Sequence, residues 1–282
     1  MIKKKVLIVG STSGLAKHIL EKLKNNNFNI STISRKDFDF IKNFSKLEKI
    51  IIRTKPNIII NCVAATYEEC NKSPKNAYEV NAFFPYKLAV VSEKINMTLI
   101  HFSTEAVFDG NKKYLCGVED IPQPNSMYGK SKLLGDYSLI RFKNSLIIRV
   151  SLLFGKFFKK NLVYNLLTEL KKNKKIRISN DIFCTPTNAD DVSNFLVKHI
   201  KGDKLKNLLS KKIIHLSSNN LQSRFKLIKD MATLINKSKY VKPISIKNLR
   251  IKIVTRANKG LKSNVKNFRT SKIEDFIKSI NI

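Results

Sequence analysis

Tyr128 and Lys132 stand four residues apart in the stretch PNSMYGKSKLLGD (124–136). On a helix, residues i and i+4 share a face, so the phenol and the ammonium would sit side by side. Such a pair can deliver a proton to a carbonyl oxygen while hydride reaches the carbon. A free phenol has a pKa near 10, and bringing it toward about 7 takes roughly 4 kcal/mol of preferential stabilisation of the anion, much of which a nearby ammonium and an oxidised nicotinamide can supply. Spacing alone does not establish the pair. With 8 Tyr and 45 Lys in 282 residues, random placement yields about 1.3 such matches.

The neighbouring segments carry the weight. LIHFSTEAVFDG (99–110) reads as a strand ending at Ser103–Thr104, which brings a hydroxyl to the carboxyl edge of a sheet, where α/β folds bind ligands. Thr104 would hydrogen-bond the same carbonyl oxygen that Tyr128 protonates. Near the start of the chain, VLIVGSTSGLAKHI (6–19) places Gly10, Gly14 and Ala16 between a strand and a helix. Glycines there permit a tight turn and let backbone N–H groups approach a pyrophosphate at the helix N-terminus. Ser11, Thr12, Ser13 and Leu15 complete the loop, with the Ser13 hydroxyl available to a phosphate. The second strand ends in SRKDFDF (34–40) with no acidic residue directly after it to hold a ribose 2′-hydroxyl. Arg35 and Lys36 suit a 2′-phosphate instead, which favours NADPH over NADH as the cofactor.

Apolar runs alternate with amphipathic stretches, the pattern of a parallel sheet covered on both faces. Strands are expected at 5–10, 28–34, 57–65, 97–104 and 145–151, and helices at 14–26, 44–55, 74–96 and 128–142, with Pro85 as a kink. Beyond about residue 155 the alternation loosens. Helices at 161–172, 188–200 and 222–236 and a strand at 212–218 fit a smaller interleaved region. The expected fold is therefore α/β: a Rossmann-like doubly wound parallel sheet with a smaller C-terminal α/β substrate region. The dinucleotide-binding domain is expected at 1–154 and about 178–200, and the substrate region at about 155–177 and 201–282.

Composition excludes several classes. No apolar run approaches the roughly 18 residues of a membrane span. The basic start MIKKKVLIVG has too short an apolar stretch for a signal peptide, so a cytosolic location is expected and no membrane partner. Cys62, Cys70, Cys116 and Cys184 form no C-x-x-C pair and have no His at ligand spacing. That predicts free thiols and no metal site. The net charge of +33 would suit an anionic partner, yet Lys outnumbers Arg 45 to 9 and is spread along the whole chain. Specific nucleic-acid recognition tends to favour the Arg fork and is not expected. Asp190–Asp191 reads as the first turn of a helix rather than a metal pair. His101 reads as a satisfied core histidine, and Phe157–Phe158 as a helix start packed on the core.

Taken together, the motifs resemble the extended short-chain dehydrogenase/reductases, most closely the dTDP-4-dehydrorhamnose reductase family. The carrying segments are GSTSGLA, NCVAAT (61–66), AYEVNAFFPYKLA (77–89), FSTEAVFDG (102–110), PNSMYGKSKLLGD, IRVSLLFG (148–155), NDIFCTPT (180–187) and TRANKGL (255–261), in family order across essentially the whole chain. The resemblance implies that Tyr128 is the proton donor, Lys132 its ribose-binding partner and Thr104 the substrate-polarising hydroxyl. It assigns Gly10, Ser11 and Thr12 to the phosphate loop, Asp39 and Phe40 to the adenine side, and Val63, Ala64 and Ala65 to backbone beside the cofactor. Departures fall on the substrate side: Glu105 and Ala106 replace the family's Asp and Tyr, Leu153 stands for its Trp, and Ile182-Phe183-Cys184 for its Gln-x-Gly.

The implied activity is NAD(P)H-dependent reduction of a nucleotide-linked 4-keto-6-deoxy sugar, for surface-polysaccharide precursors, with a homodimer as the candidate assembly. A nucleotide-sugar epimerase or dehydratase on the same scaffold, and a non-catalytic dinucleotide-binding regulatory subunit, are the competing readings.

Overall fold

A computed structural model describes residues 3–111, 114–202, 204–248, 258–266, 268 and 270–280. The first half alternates as expected: β1 (Lys5–Val9), α1 (Gly14–Lys24), β2 (Asn29–Ile33), α2 (Phe44–Thr54), β3 (Ile58–Asn61), α3 (Tyr67–Lys72), α4 (Pro74–Tyr78), α5 (Phe84–Lys94), β4 (Thr98–Thr104), α6 (Met127–Ile140) and β5 (Ser145–Val150). The second half adds β6 (Leu153–Phe154), α7 (Leu162–Lys171), β7 (Ile176–Ser179), β8 (Phe183–Cys184), β9 (Thr187–Asn188), α8 (Ala189–Lys201), α9 (Leu205–Leu209) and β10 (Ile213–Leu216). It closes with β11 (Gln222–Ser223), α10 (Arg224–Leu234), β12 (Val241–Ile244), β13 (Asn258–Lys259) and α11 (Ile273–Ser279).

Six strands form one sheet in the order β10-β5-β4-β3-β1-β2, every pair parallel. Chain order reverses between β1 and β3, and the crevice at the carboxyl ends of those two strands is where doubly wound sheets take ligands. Period-two alternation divides β1 between two cores. Val6 and Ile8 face α1 and α8 together with Ile58, Ile100 and Ile148. Leu7 and Val9 face α2, α5 and α6 with Ile59, Leu99 and Ile147. A sheet buried on both faces explains why these strands read as nearly continuous apolar runs.

Three local departures matter for the site. β3 stops at Asn61 rather than at residue 65, because Cys62–Ala65 leaves the sheet to run along the crevice. The chain then enters α3, which the sequence reading passed over, through a capping box of Thr66 and Glu69. Pro85, expected to kink one helix over 74–96, stands instead at the second position of α5. A π-turn at Glu79–Phe83 precedes it, absorbing the carbonyl clash and the missing N–H that a proline brings to a helix interior.

The division of the chain shifts in one place. β10, which the sequence boundaries put in the substrate region, pairs with β5 as the edge strand of the main sheet. Its Ile214 and Leu216 are fully buried in the core shared by α1 and α8. A third core is built separately from α7, α10, α11, β7 and β12, around Leu170, Leu227, Ile228 and Met231.

Candidate functional site

The β1–α1 turn is shaped by Gly10, whose φ is +84°, a conformation that L side chains rarely adopt. A Cβ built there would lie 2.9 Å from Val63 Cγ2 and 3.0 Å from the Cys62 carbonyl carbon, so the loop and the end of β3 approach closely only through glycine. Ser11 and Thr12 continue the turn. The Ser13 hydroxyl oxygen accepts from Ala16 N–H at 3.2 Å and caps α1. Its own hydrogen remains available to a phosphate. Leu15 is buried beneath α1, while Gly14 has the Phe158 ring against it, 2.6 Å from a built Cβ. This loop, with free backbone donors at a helix N-terminus and a glycine that a side chain would crowd, fits a dinucleotide pyrophosphate.

At the end of β2, Arg35 and Lys36 are exposed. The Asp37 carboxylate turns back to accept from Ser34 N–H at 2.7 Å and Ser34 O–H at 2.9 Å. Asp39 caps the following turn through the Ile41 and Lys42 N–H groups. Phe40 departs from expectation: its ring is 1% exposed and lies 5.2 Å from the Phe84 ring. Core packing claims that side chain, so only the Phe40 backbone can face a ligand. Across the crevice, Val63 is buried, Ala64 is exposed, and Ala65 N–H donates to Asn81 Oδ1 at 2.9 Å.

A cleft of about 520 Å³ runs from Ala64–Tyr67 toward the C-terminal region. Thr104, Glu105, Tyr128 and Leu153 all line it, with Tyr67, Phe158, Asn161 and Arg224. A larger, shallower hollow of about 720 Å³ beside α7, α10 and α11 contains none of the motif residues. Counted from Arg149, the motif's tryptophan falls on Leu152, one residue before Leu153; both leucines line the cleft. Ile182, Phe183 and Cys184 form part of the opposite wall. Of TRANKGL, residues 255–257 lie outside the described residues.

Thr104 ends β4, where its hydroxyl oxygen accepts from Ala106 N–H at 3.2 Å and its proton is directed at Glu105 Oε2, 3.3 Å away. Ser126 caps α6 through Gly129 N–H at 3.1 Å and so fixes the turn carrying Tyr128. The Cβ of any residue at 129 would lie 2.1 Å from the Ala106 carbonyl oxygen, so Gly129 lets α6 press against the Thr104 loop. Burial raises the Tyr128 phenol well above its ordinary value, and the Glu105 charge pushes it the same way; the Thr104 hydrogen bond opposes both. Lys132, one turn on, is 1% exposed and donates to the Phe102 carbonyl oxygen at 2.6 Å. Burial lowers its ammonium to about 8.

Two features were not legible as site elements. Arg224, at the first position of α10, has a buried Nε without a hydrogen-bond partner and lines the cleft wall. Phe157 and Phe158 belong to a loop rather than a helix start. That loop is held by His18 of α1, whose Nε2 accepts from Phe157 N–H at 3.3 Å while Nδ1 donates to Asp190 at 3.0 Å. Asp190 and Asp191 do open α8, and the His18 hydrogen bond holds Asp190 down at about 2. Among the described residues no His, Cys, Asp and Glu cluster could hold a metal ion, and no helix is long and apolar enough to cross a membrane. The four cysteines are free thiols.

Comparison with known proteins matches residues 4–277 to the family model described as RmlD substrate binding domain. The chain is 30% identical to a dTDP-4-dehydrorhamnose reductase of Aggregatibacter actinomycetemcomitans over 72% of its own length and 70% of the relative's. It is 29% identical to the spore coat polysaccharide biosynthesis protein SpsK of Bacillus subtilis over 69% of each chain. Among solved structures, the dTDP-4-dehydrorhamnose reductase of Bacillus anthracis in complex with NADP superposes with a TM-score of 0.87 over 99% of both chains, at 24% identity, a likeness of fold. Matched along almost its whole length, the chain belongs to the RmlD substrate-binding domain family of extended short-chain dehydrogenase/reductases.

Proposed function

We propose that this protein is an NAD(P)H-dependent reductase that converts a nucleotide-linked 4-keto-6-deoxy sugar to its alcohol, in the cytoplasm, for surface-polysaccharide assembly. One observation carries the reading: Thr104 and Tyr128 line one cleft where β4 and α6 meet, with Lys132 buried one turn behind Tyr128, and Phe158 of the same cleft packs on Gly14 of the phosphate loop. Gly10, Ser11, Thr12, Ser13 and Gly14 would hold the pyrophosphate, and the backbone of Val63, Ala64 and Ala65 would line the nicotinamide side. The dinucleotide, when bound, supplies the hydride.

The protein's own residues handle the oxygen. Thr104 would turn its hydroxyl from Glu105 to the substrate carbonyl, fixing it within reach of Tyr128, which delivers the proton. Lys132 assists by favouring the phenolate that remains and by holding a ribose hydroxyl. The exposed Arg35 and Lys36, with Asp37 committed to Ser34, support a preference for NADPH. The partnerless Nε of Arg224 supports contact with the substrate's diphosphate. Dinucleotide binding falls to 1–154, about 178–200 and β10, and substrate binding to the remainder.

An exposed apolar face supports a homodimer: Phe83 just before α5, Val90 on α5, and Leu134, Tyr137 and Ile140 on α6 are all more than a third exposed. The deciding experiment follows NADPH oxidation with dTDP-4-keto-6-deoxy sugars of both C5 configurations, in wild type and Tyr128→Phe. Turnover should fall about 10²–10⁴-fold in the variant with NADPH binding intact. Equal turnover in both would remove Tyr128 as donor. Tightly bound NAD with no net NADPH consumption would point to the epimerase-type cycle.

A further inference from the structure

Asn61 ends β3 directly opposite His101 of β4 in the sheet register. Both side chains are fully buried. Asn61 Oδ1 accepts from Val63 N–H at 3.0 Å. A backbone N–H can only donate, so oxygen must face it, and this fixes the orientation of the amide. The Asn61 NH₂ is then left facing His101 Nδ1 at 3.0 Å. An amide NH₂ also only donates, so Nδ1 is an acceptor and the ring proton resides on Nε2.

His101 Nε2 lies 3.1 Å from Lys132 Nζ. An N–H there needs a lone pair to receive it, and an ammonium has none. A neutral amine has one. The amine can still donate to the Phe102 carbonyl oxygen at 2.6 Å. Each contact along Val63–Asn61–His101–Lys132–Phe102 pairs a donor with an acceptor only when Lys132 is uncharged.

We propose that His101 is a positioning residue which, with its tautomer set by Asn61, disfavours the ammonium form of Lys132 until a dinucleotide enters the cleft. Protonation of Lys132 from solvent is then coupled to cofactor binding, since the ammonium must exchange its contact with His101 Nε2–H for acceptors on the incoming ribose. This rests on the reductase reading for the identity of the cofactor, but not for the hydrogen-bond chain itself.

The surroundings agree. Facing Lys132 are the thiols of Cys62 beyond β3 and Cys70 on α3, His101 on β4, and Asp136 one turn along α6. Asp136 is engaged by Arg149 Nε of β5 at 2.9 Å. Burial keeps the Cys62 thiol protonated, up at about 12, and holds His101 well below an ordinary imidazole, with the Lys132 charge acting in the same direction. The Asp136 charge favours the ammonium, but it is shared with the Arg149 guanidinium.

The test is ¹⁵N NMR of ring-labelled histidine in the cofactor-free protein, with His101 assigned by its loss in His101→Gln. The expected spectrum has His101 protonated on Nε2 and bare on Nδ1 across neutral pH. A proton on Nδ1 would overturn the proposal, and this arm needs neither a variant that folds nor any activity. The second arm measures NADPH affinity against pH in wild type and Asn61→Asp. Aspartate can accept from both Val63 N–H and an Nδ1–H, which turns Nε2 into an acceptor for an ammonium. The alkaline loss of affinity should therefore move up by at least one pH unit in the variant. An unmoved limb in a folded variant would show that the tautomer does not govern Lys132. If the tautomer is as stated but NADPH does not bind at all, the reductase reading fails and the assignment of the His101 tautomer stands.

Discussion

Replacing Lys132 with Met should alter how stability depends on pH more than stability itself. The folded protein holds this amine at about 8, against 10.5 for the free side chain. Because the folded value is the lower one, the unfolded chain binds more protons between those limits, and stability rises with pH across that window. Each unit is worth 1.36 kcal/mol, so charging Lys132 penalises folding by about 3 kcal/mol at pH 7 and about 2 kcal/mol at pH 9. Methionine removes that penalty but leaves the Phe102 carbonyl and the His101 N–H without a partner, at a cost of about 1–3 kcal/mol each, which does not vary with pH. The two contributions nearly cancel at pH 7. The slope does not cancel: between pH 7 and 9 wild type should gain about 1.3 kcal/mol relative to Lys132→Met. Urea unfolding followed by far-UV circular dichroism at both pH values measures this, the chain having no Trp to report by fluorescence. Parallel pH profiles for the two proteins would refute the reasoning, because they would mean that Lys132 titrates alike in both states.

Gly10→Ala should lower stability by about 2–4 kcal/mol, from the positive φ and the overpacking against Val63 together, seen as a drop in melting temperature of about 4–15 °C. NADPH affinity should fall with it. Arg35→Ser should weaken NADPH binding about five- to tenfold while leaving NADH nearly unchanged; equal losses for both would remove Arg35 from the 2′-phosphate. Leu134→Glu should convert a dimer to a monomer in light scattering, with the melting curve of the monomer otherwise intact.

How much of this was readable in advance follows from the range of the interactions. The strand–helix alternation and the Gly10 loop were legible because burial on both faces of a parallel sheet and a glycine turn are written locally. Tyr128 and Lys132 share a helix face by spacing alone, and Ser103–Thr104 end a strand whose apolar run is visible. α3 escaped notice although its signal, Thr66 followed three residues later by Glu69, was present; the segment is too short to show a helical period. The place of β10 beside β5, the grip of His18 on Phe157 and the aim of Arg224 into the cleft all join residues far apart in sequence, and no local pattern encodes them. Phe40 illustrates the reverse case. Its position in a motif suggested a ligand contact, whereas packing against Phe84 decided the direction of its ring.

The π-turn at Glu79–Phe83 carries one residue more than an α-helical turn would need. Its Asn81 reaches Ala65 N–H with one amide atom and Ser131 Oγ with the other, tying the segment after β3 to the helix of Tyr128. Deleting a single neighbour would let the segment relax to regular α-helix and rotate Asn81 by about 100°, away from both partners. The spacing of this segment is thus a structural constraint in its own right, set by the length of the chain as well as by its side chains. Substitutions at Val80 or Ala82 trade packing for packing, while a one-residue deletion would separate the two halves of the site without touching any residue that faces the cleft.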